Sequence, residues 1–532
     1  MQKGLFTDKA SIDNLSDIEL WDLDNPILYD IHLVLSFNGK PIHDFATRIG
    51  FREATFKDDG FYLNGKILKI FGLNRHEIFP YTGFAMPDRV MYHDALMIKR
   101  EFNCNMVRCS HYPQTPAFLN ACDELGLLVW EEVPGWNYIG DETWKSLVVR
   151  DVKDMIIRDR NRPSIIVWGT RVNESPNEVE LYKKTKALAK ALDDSRPSSG
   201  TMTVHSTKNW EEDIFSFDDY HADPVGSVGL SPAIKGVPYL FAEAVGQFNY
   251  AEGKGFNCMY RRDALPKIQQ YQAIYHAQAH NKAAGMEGVC GLIGWCAFEY
   301  SSLLNSYKAI KNPGVADVFR IPKLGASFYQ SQCSPALKQV IQPNFYWDFG
   351  QRSPMGPGKN VAIFSNCDRL EIFVNDRHHS SLTPDRKNYA NLKYPPFFVD
   401  LEIPSADHPE LKINGYVGSS MVFSRQFSSN PKEDKFILEA DDRELNGNII
   451  DATRIVFYVA DKYGSKRPYA DGTVQFQIDG PATIIGDNPF DLKESGGAGA
   501  IWVKTNGQKS GAISVLATHS SLGERKVTIK LI

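Results

Sequence analysis

"IIVWGTRVNESPN", residues Ile165–Asn177, poses the question on which the fold turns. Its first part, Ile165 to Trp168, is an apolar run of strand character. It stops at Gly-Thr-Arg-Val-Asn-Glu, where a helix is expected to begin. A carboxylate at the rim of an apolar strand is either a charge at a helix start or a chemical group. Which of these Glu174 is depends on the kind of sheet that holds the strand.

The flanking sequence answers part of this. Over residues 58–339 short apolar runs recur at 68–73, 105–110, 127–132, 164–169, 198–203, 214–219, 239–244 and 291–298. Amphipathic stretches lie between them. "DRVMYHDALMIKREF" places Val90, Met91, Ala95, Met97, Ile98 and Phe102 near helical spacing, and "ETWKSLVVRDVKDMIIRDR" and "EVELYKKTKALAKALDD" follow the same rule. Eight β/α units in about 280 residues predict a (β/α)8 barrel. A doubly wound open sheet is the competing architecture, but no Gly-rich phosphate turn follows the first strand.

Outside this region the texture is all-β. Residues 1–57 read as strands, with "ILYDIHLVLSF" turning at "NGK", too little for a sandwich on its own. Beyond 340, "NVAIFSNCDRLEIFVND", "TRIVFYVADKYGSKRPYADGTVQFQIDG" and "GAISVLATHSSLGERKVTIKLI" alternate strand and turn. They predict two β-sandwiches, 340–430 and 431–532, joined at "SSNPKED". The expected fold class is thus α/β plus all-β: a barrel flanked by a partial N-terminal sandwich and two C-terminal ones.

At 532 residues the chain exceeds one core, so about three domains are expected from length alone. Its 43% hydrophobic and 23% charged residues are ordinary for a soluble globular protein. A net charge of −5 without a long basic run argues against nucleic acid as a partner. No stretch reaches the roughly 18 apolar residues of a membrane span, so no membrane partner is expected. "MQKGLFTDKASIDNLSDIELWD" has no apolar core and is not expected to act as an export signal, and the compartment is not legible. The eight cysteines form no CxxC pair and are expected to be free, buried thiols.

Active sites of barrels sit at the carboxyl ends of the strands. Glu174 follows the fourth strand and Glu243 ends the seventh, so both should face one mouth. Two carboxylates across one cleft suit glycoside hydrolysis, one protonating the leaving oxygen and the other attacking carbon or activating water. Other strand ends supply His76, Arg108, His111, Glu131, Glu132, Tyr220, His221 and Trp295. Such a rim fits a pocket that hydrogen-bonds a sugar and stacks on its apolar face. No Ser–His–Asp arrangement is equally well ordered.

Four long stretches, "GFREATFKDDGFYLNGKILKIFGLNRHE", "NMVRCSHYPQTPAFLNACDELGLLVWEE", "RDRNRPSIIVWGTRVNES" and "PYLFAEAVGQFNY", together resemble glycoside hydrolase family 2, the β-galactosidase, β-glucuronidase and β-mannosidase family. "ELWDLDNPILYDIHLVL" resembles the last strands of the immunoglobulin-like domain that precedes its barrel, and the tail resembles its accessory sandwiches, the last immunoglobulin-like. The resemblance implies a retaining mechanism, with Glu174 as acid/base, Asn173 on the sugar 2-hydroxyl and Glu243 as nucleophile. Tyr220 would hydrogen-bond the nucleophile. Arg108, His111 and His76 would line the pocket, Arg108 bracing the nucleophile, and Trp295 would be the stacking platform. Glu131 and Glu132 would include a structural carboxylate among Arg partners.

Two departures from the family follow. By the resemblance, the chain is expected to start after the position of the family's N-terminal jelly-roll domain, which would complete the sugar pocket. Where the best-known β-galactosidases carry a Glu-x-His magnesium pair, "PGWNYIG" places Trp136 and Tyr138, which are not magnesium ligands. No catalytic metal and no cofactor are therefore expected. The Asn-x-Lys mark of glucuronidases is absent too, although Lys308 and Lys311 lie nearby. The leading expectation is an exo-acting retaining β-glycosidase for β-galactosides. β-Glucuronidase and β-mannosidase are alternatives, and a non-catalytic carbohydrate-binding or scaffold protein is the alternative of another class. A carbohydrate is the expected partner, and a homo-oligomer stays open.

Overall fold

Eight parallel strands form one sheet that curls into a barrel. They are β1 (Ile70–Arg75), β2 (Met106–Cys109), β3 (Leu128–Glu132), β4 (Ile165–Gly169), β5 (Ser198–Ser199), β6 (Phe215–Asp219), β7 (Tyr239–Ala244) and β8 (Val289–Gly294). Hydrogen bonds order them β5-β4-β3-β2-β1-β8-β7-β6. A parallel bridge between Met202 and Phe217 joins the two ends, with the Met202 amide donating to Ser216 and the Asp218 amide donating to Met202. This computed structural model describes residues 10–404, 408–508 and 510–532. The first nine residues, part of the 1–57 segment and of the stretch read for an export signal, lie outside the described residues.

Every apolar run noted in the sequence falls on a barrel strand, with the first displaced. β1 starts at Ile70, and Lys66–Leu68 belongs to a small antiparallel sheet with Ala54–Lys57 and Gly60–Leu63. Phe61 and Leu63 of that sheet pack with Trp21 against Ile70, Met106, Leu128, Ile166, Leu240 and Ile293, closing the amino-terminal end of the barrel.

Among the described residues six α-helices cover the strands: α1 (Asp88–Leu96), α2 (Pro116–Leu125), α3 (Glu142–Asp159), α4 (Val179–Leu192), α5 (Pro266–Gly285) and α6 (Ala326–Ser331). In α3, Val148, Val152, Met155, Ile156 and Asp159 form the buried stripe, and Asp141 caps the first turn by accepting from the Trp144 amide at 2.9 Å. α2 ends at Gly126 with φ +70°, where a Cβ would lie 2.3 Å from the Leu23 carbonyl oxygen. The eight β/α units read from the sequence are incomplete. Among the described residues no helix follows β5 or β6; coil leads from β5 to β6, and a two-stranded hairpin, His221–Ala222 with Val228–Gly229, lies between β6 and β7.

Three barrel strands carry an extra residue; in β8 it lies between Val289 and Leu292, which pair with Tyr239 and Phe241 of β7. Phe217 pairs with Phe241 but Asp218 pairs with Glu243, so β7 bulges at Ala242. Val129 pairs with Ile165 but Trp130 pairs with Val167, so β4 bulges at Ile166. A bulge re-aims the side chains that follow it.

The C-terminal part holds two further cores. A three-stranded sheet (Ile341–Pro343, Gly358–Ser365, Phe397–Leu401) and a four-stranded one (Arg369–Val374, Arg377–Leu382, Glu410–Val417, Ser420–Ser428) enclose Ile363, Leu370, Phe397 and Ile413. Beyond them a four-stranded and a five-stranded sheet run from Lys435 to Leu531. These sheets support the divisions 340–430 and 431–532 that we propose; of the proposed 1–57 and 58–339, the boundary falls within the sheet of Ala54–Lys57, Gly60–Leu63 and Lys66–Leu68. In the first segment Tyr29–Phe37 and Lys40–Ile49 form a single antiparallel hairpin, with Leu33, Val34, Leu35, Phe37, Ile42 and Phe45 exposed. The eight cysteines are free, and six are buried. Among the described residues no helix is long and apolar enough to cross a membrane.

Candidate active site

Arg108, on β2, is fully buried and organises the mouth of the barrel. Its Nε and Nη2 donate to the two oxygens of Glu132 at 2.9 and 3.0 Å. Its Nη1 donates to Glu243 Oε1 at 2.8 Å and to Asn74 Oδ1 at 3.1 Å, and Nη2 reaches Asn173 Oδ1 at 2.7 Å. A buried guanidinium is tolerated only when its donors are this fully used. Glu132 is the structural carboxylate read from the sequence among Arg partners. Gly169 makes room for it, since a Cβ there would lie 2.2 Å from that of Glu132. Glu131 is turned away and pairs with Arg158 at 3.0 Å.

Glu243 faces the mouth from the end of β7. Besides Arg108, the Tyr220 hydroxyl donates to its second oxygen at 2.6 Å. Two donors of fixed geometry therefore hold this carboxylate as an acceptor.

Glu174 comes from the loop after β4. It does not start a helix: α4 begins at Val179, with Glu178 at the cap position. The loop is pinned by Arg171, which is fully buried, forks onto Glu212 at 3.0 Å through both Nε and Nη2, and lies over the Tyr182 and Trp210 rings. Asn173 pairs with Trp136 in a parallel bridge, and its Oδ1 accepts from Arg108 and Thr201. Glu174 itself has φ +51°, an uncommon conformation for a non-glycine residue and one often found at functional sites. The Trp136 indole N–H donates to Glu174 Oε2 at 2.6 Å.

One oxygen each of Glu174, Asp218 and Glu243 lie within 4.8 Å of one another. Burial first, and the Glu243 charge second, push the Glu174 carboxyl up to about 7. Asp218 was read only as part of a strand. It sits beside Glu243 across β6 and β7, is buried, and has no hydrogen-bond partner on either oxygen. Burial and then the Glu243 charge push its carboxyl well above the usual range.

The other expected residues gather here too. His111 is held neutral, its pKa lowered to about 3 by burial and then by Arg108. It approaches Glu132 at 2.7 Å through Nδ1, which must donate because the carboxylate only accepts. Its ring stacks on Trp295 at 5.3 Å, which covers one face of that indole. His76 meets Trp295 edge-on at 5.3 Å and Tyr300 at 4.1 Å, and contacts the Tyr112 hydroxyl at 3.2 Å. His221 instead pairs with Asp219, at 2.5 Å. His76, His111, Asn173, Glu174, Tyr220, Glu243 and Trp295 wall a cavity of about 380 Å³, together with Tyr300, Asn305 and Lys311. Sequence reasoning missed Asn74, Thr201, Asp218 and Tyr300; the first three lie on or next to barrel strand ends, the one signal that could have found them.

The residues at the family's magnesium position do not fit a metal. Trp136 directs an N–H donor at Glu174, and Tyr138 is exposed on the protein surface.

A barrel with two carboxylates this close at its carboxyl-terminal mouth fits a glycoside hydrolase. Residues 54–221 match "Glycosyl hydrolases family 2, TIM barrel domain", and residues 437–528 match "Glycoside hydrolase family 2 C-terminal domain 5". A β-galactosidase of Thermoanaerobacterium thermosulfurigenes is 37% identical over 500 residues, which cover 91% of this chain and 68% of that protein. One of Thermoanaerobacter pseudethanolicus is 36% identical over 529 residues, covering 96% and 68%. A solved β-glucuronidase of family 2 superposes with a TM-score of 0.75 at 18% identity, covering 97% of this chain and 54% of that one. The chain belongs to glycoside hydrolase family 2. Membership carries with it retaining exo-glycosidase activity; the sugar is a separate matter, because the relatives differ in theirs.

Proposed function

We propose that this enzyme removes terminal β-galactosyl residues, with Glu174 as acid/base and Glu243 as nucleophile. The observation that carries the catalytic assignment is the close approach, within 4.8 Å, of oxygens from two carboxyls in opposite electrostatic settings. Glu243 accepts from Arg108 and Tyr220, whereas Glu174 is pushed up to about 7 by burial and by its neighbour's charge. Such a pair divides the labour of a retaining glycosidase, whose carboxyl groups are typically about 5 Å apart. In the first step Glu174 gives its proton to the glycosidic oxygen while a Glu243 oxygen bonds to the anomeric carbon. The Glu243 charge is lost in the ester, which lets Glu174 leave the step ionised. It then takes a proton from water, which attacks the same carbon and frees Glu243. Asn173 would hold the sugar 2-hydroxyl, with Trp295, His76 and His111 forming the wall and floor.

The two β-galactosidases at 37% and 36% identity support the sugar assignment. A β-glucuronide is the second reading. Lys311 lines the cavity, so an anionic sugar would find a cation there.

Hydrolysis of a panel of aryl β-galactosides, β-glucuronides and β-mannosides decides the sugar. Glu174→Ala decides the roles. With an activated aryl galactoside the first step should partly survive and the second should stall. Azide should then restore turnover and give the β-galactosyl azide. Near wild-type rates in both Glu174→Ala and Glu243→Ala would refute the catalytic assignment.

A further inference from the structure

Next to the catalytic cavity lies a second one of about 320 Å³, and Trp136 lines both. Tyr138, Trp144 and Leu147 continue its wall, and Arg150 and Asp151 stand at its edge. The aromatic groups are unusually open for their size: Trp136 is 45% and Tyr138 is 63% exposed. They are also held in place. Tyr138 meets Trp144 edge-on at 5.7 Å, and Trp144 sits in the first turn of α3, which Asp141 caps.

We propose that this cleft binds the leaving-group side of the substrate and that the leaving group is itself a carbohydrate chain. The inference rests on the reading of Glu174 as the acid. A general acid must lie within hydrogen-bond reach of the oxygen it protonates. The leaving group must therefore pass along the Glu174 side of the pocket. Trp136 stands at that point, its N–H 2.6 Å from Glu174 Oε2. A leaving group longer than one unit then runs along the indole toward Tyr138.

The chemistry of the cleft favours a sugar over a wholly apolar aglycone. A pyranose presents C–H groups that rest on aromatic faces and hydroxyls that need polar partners. Trp136, Tyr138 and Trp144 supply the faces. The Arg150–Asp151 pair, 2.7 Å apart and open to solvent, together with the Tyr138 hydroxyl, supplies the partners. An apolar aglycone would leave these groups without use. Trp136 would thus serve twice, orienting Glu174 through its N–H and seating the first leaving-group unit on its ring.

The test uses binding, so that it stands apart from turnover. In the Glu243→Gln chain, calorimetry compares methyl β-galactoside with a β-linked galactotriose. The trisaccharide should bind about tenfold more tightly, the size of one good aromatic stack. Adding Tyr138→Ala should bring the ratio close to one, and Tyr138→Phe, which keeps the ring, should restore most of it. Equal affinities in the Glu243→Gln chain, or a ratio that survives Tyr138→Ala, would overturn the inference. Release of galactose from an aryl β-galactoside by the unmutated chain tests the underlying reading separately. Release without length-dependent binding removes the cleft proposal alone, whereas no release from any aryl β-glycoside removes both.

Discussion

The barrel holds two layers of opposite character on the same strands. Toward the amino-terminal end, Ile70, Met106, Leu128, Ile166, Leu240 and Ile293 meet in an apolar floor. A few residues on, Asn74, Arg108, Glu132, Thr201, Asp218 and Glu243 are just as deeply buried, yet all are polar. The floor gains from burial at roughly 25 cal/mol per Å² of apolar surface. The upper layer must offset desolvation with hydrogen bonds and ion pairs, and often only breaks even. Stability therefore resides mainly in the floor, and chemistry in the layer above it. The layers should fail in different ways when cut.

Glu243→Gln is the largest cut. Activity should fall at least roughly 10⁴-fold, because no glycosyl-enzyme can form. Arg108 keeps its fork onto Glu132, so the melting temperature should move little. Calorimetric melting beside kinetics checks both halves, and a collapse of the fold would erase the distinction between the layers. Leu240→Ala is the opposite cut. It should cost about 2–5 kcal/mol of stability through the cavity it leaves. Residual folded enzyme should keep its pH profile; a shifted profile would show that the layers are coupled.

The third prediction concerns the proton on Glu174. A carboxyl pushed up to about 7 is protonated below that pH and loses its proton above it. The kcat/KM of the free enzyme should thus fall about tenfold per unit at higher pH. The Trp136 N–H favours the ionised form, so Trp136→Phe should move this alkaline limb upward. A limb that stays in place would mean that another group sets it. The smallest effect expected is that of EDTA, which should leave activity unchanged, since an indole and a phenol stand where a magnesium pair would be. A large loss restored by magnesium would show that the upper layer includes a metal.

Much of this was legible in the sequence because barrel strands are continuous apolar runs. A strand-end carboxylate can be placed at the mouth without knowing any side-chain contact. Glu174, Glu243, Arg108 and Tyr220 came together on that basis and on the family resemblance. What escaped notice depends on contacts distant in sequence. Asp218 reads as an ordinary polar strand end; only the register of β6 against β7 sets it beside Glu243. Trp136 was read for the ligands it lacks, and its bond to Glu174 appears only once the loop after β3 pairs with Asn173. "NES" looks like a helix start, but α4 begins at Val179. The missing helices after β5 and β6 lie where the sequence shows no helical periodicity, so a count of strands alone overstated the β/α units.

The bulge at Ala242 works like a shift of reading frame. In β7, Leu240 faces the floor and Phe241 the outer layer, and strict alternation would send Glu243 outward with Phe241. The extra residue turns it inward. β4, which leads to Glu174, carries its own extra residue. The catalytic design is therefore written partly in strand length, and it is exposed to a kind of change that residue chemistry does not reveal. Deleting Ala242 removes only a methyl group and one peptide unit. It would leave every functional side chain in the sequence and, with Glu243 directly after Phe241, keep the nucleophile inward by plain alternation; what it removes is the bend and twist that the bulge gives the strand beneath it.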